Sequence, residues 1–203
     1  MSAVSSKKNL IFFSIVIVLT VSVGAILYFY KGGGSDTGLN QLKNNYPGLS
    51  ASVDEIIKEQ KNLKADKNNI KAYISLGMAW KTLAEDVQAQ KIGDGKEYYR
   101  EALKIYQEGI EAGQRKNTVL MVNAGSMAKY LGDYRLSEEY FKEAIAISPG
   151  ETAYYLMLAE LYEYSMKRSK EDIIAVYEQG IKRVLDPRIL RGRIDDYLLR
   201  HGE

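Results

Sequence analysis

The chain has 203 residues, with 28 Lys and Arg against 26 Asp and Glu, for a formal net charge of +2. That balance offers no electrostatic case for nucleic acid, whose capture rests on a basic face that neutralises phosphates. Cysteine is absent and histidine occurs once, which excludes disulfides, thiol catalysis and a lipidated cysteine, and leaves no His/Cys cluster at metal-ligand spacing.

A short basic tail, residues 1–8, precedes residues 9–30, which carry no charge and are fenced by Lys7, Lys8 and Lys31. At about 1.5 Å per residue this run spans roughly 33 Å as a helix, enough to cross a hydrocarbon core, and it predicts a transmembrane helix that contacts the lipid bilayer. It is longer than the apolar run of a cleaved signal. It ends in the bulky Tyr28, Phe29 and Tyr30, which suit a membrane interface better than a peptidase. The basic tail favours a cytoplasmic amino terminus, a single-pass placement in the plasma (inner) membrane and an extracytoplasmic carboxy-terminal domain. Only Thr20 and Gly24 form a small pair at fourfold spacing, a faint signal for homo-oligomer formation through the span. Residues 31–50 open with Gly32-Gly33-Gly34-Ser35 and read as a flexible linker.

Beyond the linker, prolines are rare and apolar residues recur at i, i+3, i+4 and i+7, an all-α pattern. Residues 51–69 hold one leading helix, opened by Ser52-x-x-Glu55 as a capping box; Ser169-x-x-Asp172 is a second such box, and Asp186-Pro187 marks a third start. From 118 to 151 the chain reads Met121-x-x-Ala124-Gly125-x-x-Ala128, then Gly132-Asp133-Tyr134, then Ser137-x-x-x-Phe141-x-x-Ala144, then Pro149. Residues 70–117 hold a similar copy, Tyr73-x-x-Leu76-Gly77-x-x-Trp80 and Ala102-x-x-x-Tyr106-x-x-Gly109, with about a dozen extra residues around Gly93-Asp94-Gly95 that should lengthen both helices. Residues 152–187 hold a third, Tyr155-x-x-Leu158-Ala159-x-x-Tyr162 and Ile173-x-x-x-Tyr177-x-x-Gly180, with about two extra residues in the inner turn.

In these copies a small residue at the eighth place permits close approach of two antiparallel helices, and large residues at the fourth, eleventh and twenty-fourth places fill the space around it. The arrangement resembles the tetratricopeptide repeat, a 34-residue helix hairpin. Tyr73, Tyr106, Tyr155, Tyr162 and Tyr177 then become core fillers whose hydroxyls reach the edges. The resemblance implies an α-solenoid of about three helix hairpins with flanking capping helices, the last over 188–203. The full layout, a span followed by repeats, is similar to bacterial single-pass membrane-anchored members of the family.

The resemblance further implies a groove lined by the first helix of each repeat. Its candidate residues are Lys71, Ile74, Met78 and Lys81; Val122, Asn123, Ser126, Lys129 and Tyr130; and Leu156, Glu160, Glu163 and Tyr164. Chaperone-binding members clamp a terminal carboxylate at certain of these places; here only Asn123 fits, so that clamp is not expected. Lysines in the first two copies and glutamates in the third form a gradient suited to orienting a partner peptide or helix.

No catalytic site emerges. The one histidine, His201, falls near the carboxy end, Gly-Lys-Ser/Thr is absent, and adjacent carboxylates such as Glu138-Glu139 point about 100° apart on a helix and read as solvated faces. The arginines of 188–200 read as a solvated basic side, with contact to an anionic lipid or a partner as the functional alternative. The expectation is a non-enzymatic scaffold without cofactor or metal that binds protein partners in envelope assembly or secretion. A cytoplasm-facing docking or import receptor and a non-catalytic subunit of a membrane enzyme complex remain open.

Overall fold

Short polar side chains start the helices. In the computed structural model, which describes residues 36–201, Asn69 Oδ1 accepts from the Ala72 amide at 3.0 Å, Asn117 Oδ1 from Leu120 at 3.1 Å, Asp133 Oδ1 from Leu136 at 3.1 Å and Ser169 Oγ from Asp172 at 3.2 Å. Each bond satisfies one of the amides that the first turn of a helix leaves without a partner. Helices that begin in this way fall at the starts of the first and second repeats and at the second helices of the second and third.

The chain divides into one unit ending at Val53 and another beginning at Asp54. In the first, α1 (Asp36–Asn45) and a 3₁₀ turn, Pro47–Leu49, precede α2 (Ser50–Ala65), which runs across the division. The segment read as a linker over 31–50 is thus helical from Asp36: Leu39 is buried, and Asn40 Nδ2 donates to the Asp36 carbonyl at 2.7 Å. α2 starts two residues before the expected capping box because the turn at Pro47 feeds straight into it, and Ser52 Oγ donates back to the Leu49 carbonyl at 3.1 Å.

The second unit continues with α3 (Ile70–Ala89), α4 (Lys96–Ala112), α5 (Thr118–Leu131), α6 (Tyr134–Ile147), α7 (Thr152–Glu160) with a π-helical extension Leu161–Met166, α8 (Lys170–Ile181) and α9 (Arg188–Arg200). α3 packs on α4, α5 on α6 and α7 on α8, each hairpin stacking on the next through α4 with α5, α6 with α7 and α8 with α9. α3 also touches α5, and α7 touches α9, so the first helices form one layer. The insertion is absorbed as helix: α3 and α4 have 20 and 17 residues against 14 and 14 in the second repeat. The extra residues of the third repeat become the π-helical extension, which ends at Lys167 in the left-handed region (φ 52°).

The hairpins close on the eighth place. A β-carbon on Gly125 would sit 2.7 Å from Phe141 Cε1, and one on Gly77 would meet the Tyr106 ring. Gly109 and Gly180 repeat the device toward the neighbouring helix: a β-carbon there would lie 2.7 Å from Tyr73 Cβ and 2.6 Å from Leu190 Cδ1, respectively. Tyr106 departs from the expectation that core tyrosine hydroxyls reach the edges. Its hydroxyl is buried with no hydrogen-bond partner, as is that of Ser137, and burial pushes the Tyr106 phenol well above its ordinary range.

The transmembrane helix over residues 9–30 is corrected. Those residues lie outside the described ones, and no described helix is long and apolar enough to cross a membrane. Even α3, the longest, carries Lys71, Lys81, Glu85 and Asp86. The single-pass inner-membrane localisation, the bilayer contact and the membrane-anchored layout rested on that segment and are withdrawn with it.

Gly125→Ala should cost about 1–2 kcal/mol in urea denaturation, because overpacking of about 1–3 kcal/mol outweighs a helix-propensity gain of about 0.5–1. Adding Phe141→Leu should recover part of the loss. Gly150→Ala, where nothing lies within 4 Å, should stay within about 0.5 kcal/mol. Ser137→Ala should stabilise by about 1 kcal/mol in the same assay, since it removes a buried hydroxyl that has no protein partner. A neutral Gly125→Ala, or a destabilising Ser137→Ala, would contradict this packing.

Candidate functional site

The first-helix layer places the candidate groove residues along α3, α5 and α7. In α3, Lys71 is exposed and makes no ion pair among the described residues, Ile74 is half-buried, Met78 is 54% exposed, and Lys81 Nζ pairs with Glu85 Oε1 at 2.6 Å. In α5, Val122 and Asn123 are half-buried, and Ser126 Oγ donates to the Val122 carbonyl at 2.9 Å, which leaves it only as an acceptor. Tyr130 is 49% exposed and stacks on Tyr99 of α4 with ring centroids 5.1 Å apart. Tyr99 is itself held by its hydroxyl near Gln88 Oε1 at 3.3 Å, and burial, then Glu85 and Tyr130, raise its phenol above the ordinary range. In α7, Leu156 packs against the apolar cluster of the third repeat and Glu160 is exposed.

The charge gradient does not survive folding as a gradient. Lys129 Nζ pairs with Glu160 Oε1 at 2.8 Å across the second and third repeats. Nearby, Tyr154 Oη donates to Thr118 Oγ1 at 2.9 Å, a second tie between α5 and α7. Glu163, whose side chain is only 8% exposed, accepts from Arg200 Nη1 at 2.7 Å, and the same nitrogen lies 2.6 Å from Tyr164 Oη. Four of the five predicted charges, Lys81, Lys129, Glu160 and Glu163, are therefore paired within the fold.

Two contributors were not singled out from sequence. Arg200, read there with the basic side of the last helix, closes the far end of the groove by binding both Glu163 and Tyr164. Glu138, read with Glu139 as a solvated pair, is 13% exposed in its side chain and joins α6 to the π-helical extension. It accepts from Tyr162 Oη at 2.7 Å and Lys142 Nζ at 2.5 Å, with Arg168 Nη2 at 3.5 Å. Lys142 and Arg168 also sit over the Tyr162 ring, 5.9 and 5.6 Å from its centroid. Burial pushes the Glu138 carboxyl up, but the bonds from Lys142 and Tyr162 and the charges of Lys142 and Arg168 outweigh it, holding the group below the ordinary 4.5. Glu139 is exposed and has only Arg135 at 3.4 Å.

Among the described residues no group of three or more His, Cys, Asp or Glu is placed to hold a metal ion. His201 lies against Tyr197 with ring centroids 4.4 Å apart and the planes tilted by 36°. No protein-family model matches the sequence, and no curated protein does. Solved structures do resemble it. TTC0263, a thermophilic TPR protein in Thermus thermophilus, superposes with a TM-score of 0.60 at 20% identity over 95% of this chain and 98% of that one. Two structures of MamA match with TM-scores of 0.49 and 0.38 at 21% and 17% identity, the first over 63% of this chain and 65% of that one, the second over 75% and 92%. The chain has the tetratricopeptide-repeat fold.

Because Glu138 ionises more readily folded than unfolded, it contributes stability at neutral pH that is lost as pH falls from 4.5 through its lower folded value. Glu138→Gln should be destabilising at pH 7 and should show a shallower loss of urea midpoint on acidification than the parent chain. An unchanged acid limb would remove Glu138 as the tie between the second and third repeats.

Proposed function

We propose that the chain is a non-catalytic protein-interaction scaffold whose first-helix groove holds a peptide or helix of a partner. The observation that carries this reading is the distribution of exposed apolar side chains. Met78, Val119, Tyr130 and Tyr164, between 48% and 54% exposed, stand on first helices or the π-helical extension of one, while the other exposed large apolar side chains are divided between α6 (Tyr134, Ile147), the bend before α9 (Leu185) and α9 itself (Ile189, Leu199). Four such groups along one layer offer a contact surface, and tyrosine supplies large contact area with few rotatable bonds. Around them Lys71, Ile74, Lys81, Val122, Asn123, Leu156 and Glu160 complete the contact surface of this reading. Lys129 and Glu160 stiffen it rather than select a partner, since each already satisfies the other.

Mechanistically the face is preorganised. Tyr130 is stacked, Tyr164 is pinned by Arg200, and the layer is tied across repeats by Lys129 with Glu160 and Tyr154 with Thr118. A partner would lose its own conformational freedom on binding, while the groove has little left to lose.

Display selection of random peptides on the full chain tests the reading. The selected peptides should be rich in apolar residues. Met78→Lys with Tyr130→Lys should weaken them by about tenfold or more, as expected for two lost contact residues. Leu185→Lys, at a fully exposed leucine away from the first helices, should leave binding unchanged. Equal loss in both variants, or no enrichment at all, would reject the groove.

A further inference from the structure

The second unit has a cleft at its carboxy-terminal end, of about 380 Å3, between the π-helical extension of the third repeat and α9. Lys167, Arg168 and Arg200 line it, opposed by the single carboxylate of Glu163, so these residues leave two positive charges facing the cleft. We infer that this cleft binds carboxylates of an acidic peptide segment.

Three features of the geometry carry the inference. First, Arg200 is held ready. Nη1 is engaged by Glu163 and Tyr164, at 2.7 and 2.6 Å, and Nε lies 3.3 Å from the Asp196 carbonyl. Its ring contacts, 6.0 Å to the centroids of both Tyr164 and Tyr197, fix the plane of the guanidinium. A guanidinium held by these contacts meets a carboxylate with little further loss of side-chain freedom. Second, Lys167 occupies the left-handed region, at φ 52°, is exposed, and makes no ion pair among the described residues. The conformation is a helix-end cap that Lys91, Gln114 and Arg115 also adopt; here it leaves the lysine at the mouth of the cleft. Third, Arg168 is only loosely committed: Glu138 lies 3.5 Å away and is already satisfied by Tyr162 and Lys142.

The cleft shares Glu163 and Tyr164 with the end of the groove, so a groove-bound peptide reaching this end would meet the cations. The inference rests on the groove reading only in taking the carboxylates to come from a peptide. Glu163 cannot serve the acidic ligand directly; it is the orienting group for Arg200.

Fluorescence anisotropy with a labelled hexaglutamate peptide on the full chain at low salt tests the cleft, because screening would mask an exposed site. Binding should be measurable, and a hexaglutamine peptide should not bind. Lys167→Gln with Arg168→Gln should weaken the hexaglutamate by about tenfold. Arg200→Gln should do at least as much, and if loss of the Glu163 partner unfolds it, the Lys167/Arg168 variant still decides. Arg188→Gln with Lys182→Gln is the control of equal charge, since neither residue lines the cleft and Arg188 is committed to Asp186, whose carboxyl it holds down to about 2. Absence of binding, equal loss in that control, or displacement by inorganic phosphate as effective as by unlabelled peptide would each overturn the inference. Met78→Lys with Tyr130→Lys should leave hexaglutamate binding intact, so failure of the groove and failure of the cleft are separately visible.

Discussion

The close approach of two helices at a small residue, glycine in the first two hairpins and Ala159 in the third, is the constraint on which this structure depends. Gly77 faces the ring of Tyr106 and Gly125 that of Phe141, with no room for a β-carbon at either contact. An aromatic ring laid on bare backbone buries large apolar area at short interaxial distance. It also fixes the rotation of each helix about its axis, because only one face of the first helix offers the gap. Once that rotation is set, the fourth and eleventh places turn inward and the second, ninth and thirteenth turn outward. The exposed layer of Met78, Val119, Tyr130 and Tyr164 is thus a consequence of the same contact that makes the core.

Stacking of hairpins uses the device a second time. Gly109 and Gly180 admit Tyr73 and Tyr155 from their own repeats, and Leu120 and Leu190 from the helix that follows. Each repeat therefore offers its successor a surface already shaped by its own closure. That nearest-neighbour logic explains why an insertion as large as the one in the first repeat is tolerated: α3 and α4 lengthen together and pack on each other.

The backbone plan was legible in the residue types because it depends on local size. A small residue, a ring and a small residue at fixed spacing mean the same packing wherever they occur, and capping side chains such as Asn117 and Ser169 act within three residues. The site was less legible because its chemistry lies between repeats. Lys129 and Glu160 are 31 positions apart and Arg200 and Glu163 are 37 apart, so their pairing is visible only after the hairpins are stacked. Glu138 and Glu139 show the same limit in miniature: adjacent and alike in sequence, one faces Tyr162 and the other water. Hydropathy alone also led the reading of residues 9–30 to a membrane that no described helix can cross. The π-helical extension had no sequence signal beyond two surplus residues, and where a chain stores a surplus is decided by tertiary room, here beside α9.

Internal pairing changes what the groove can read. A partner facing free lysines and free glutamates would be selected by charge order. With Lys129 bound to Glu160 and Lys81 to Glu85, inserting a charged partner would first require breaking a pair, for a net gain near zero in a solvated setting. Selection along the middle of the face therefore falls to shape and apolar contact. Among the described groove and cleft residues, Lys71 on α3 and Lys167 beyond the π-helical extension make no ion pair, and both lie toward the ends. Electrostatics in such a face acts on the termini of what it holds, while the stacked tyrosines and Met78 act on its body. That division follows from the solenoid itself: interior first helices have neighbours on both sides with which to neutralise their charges, and end helices have only one.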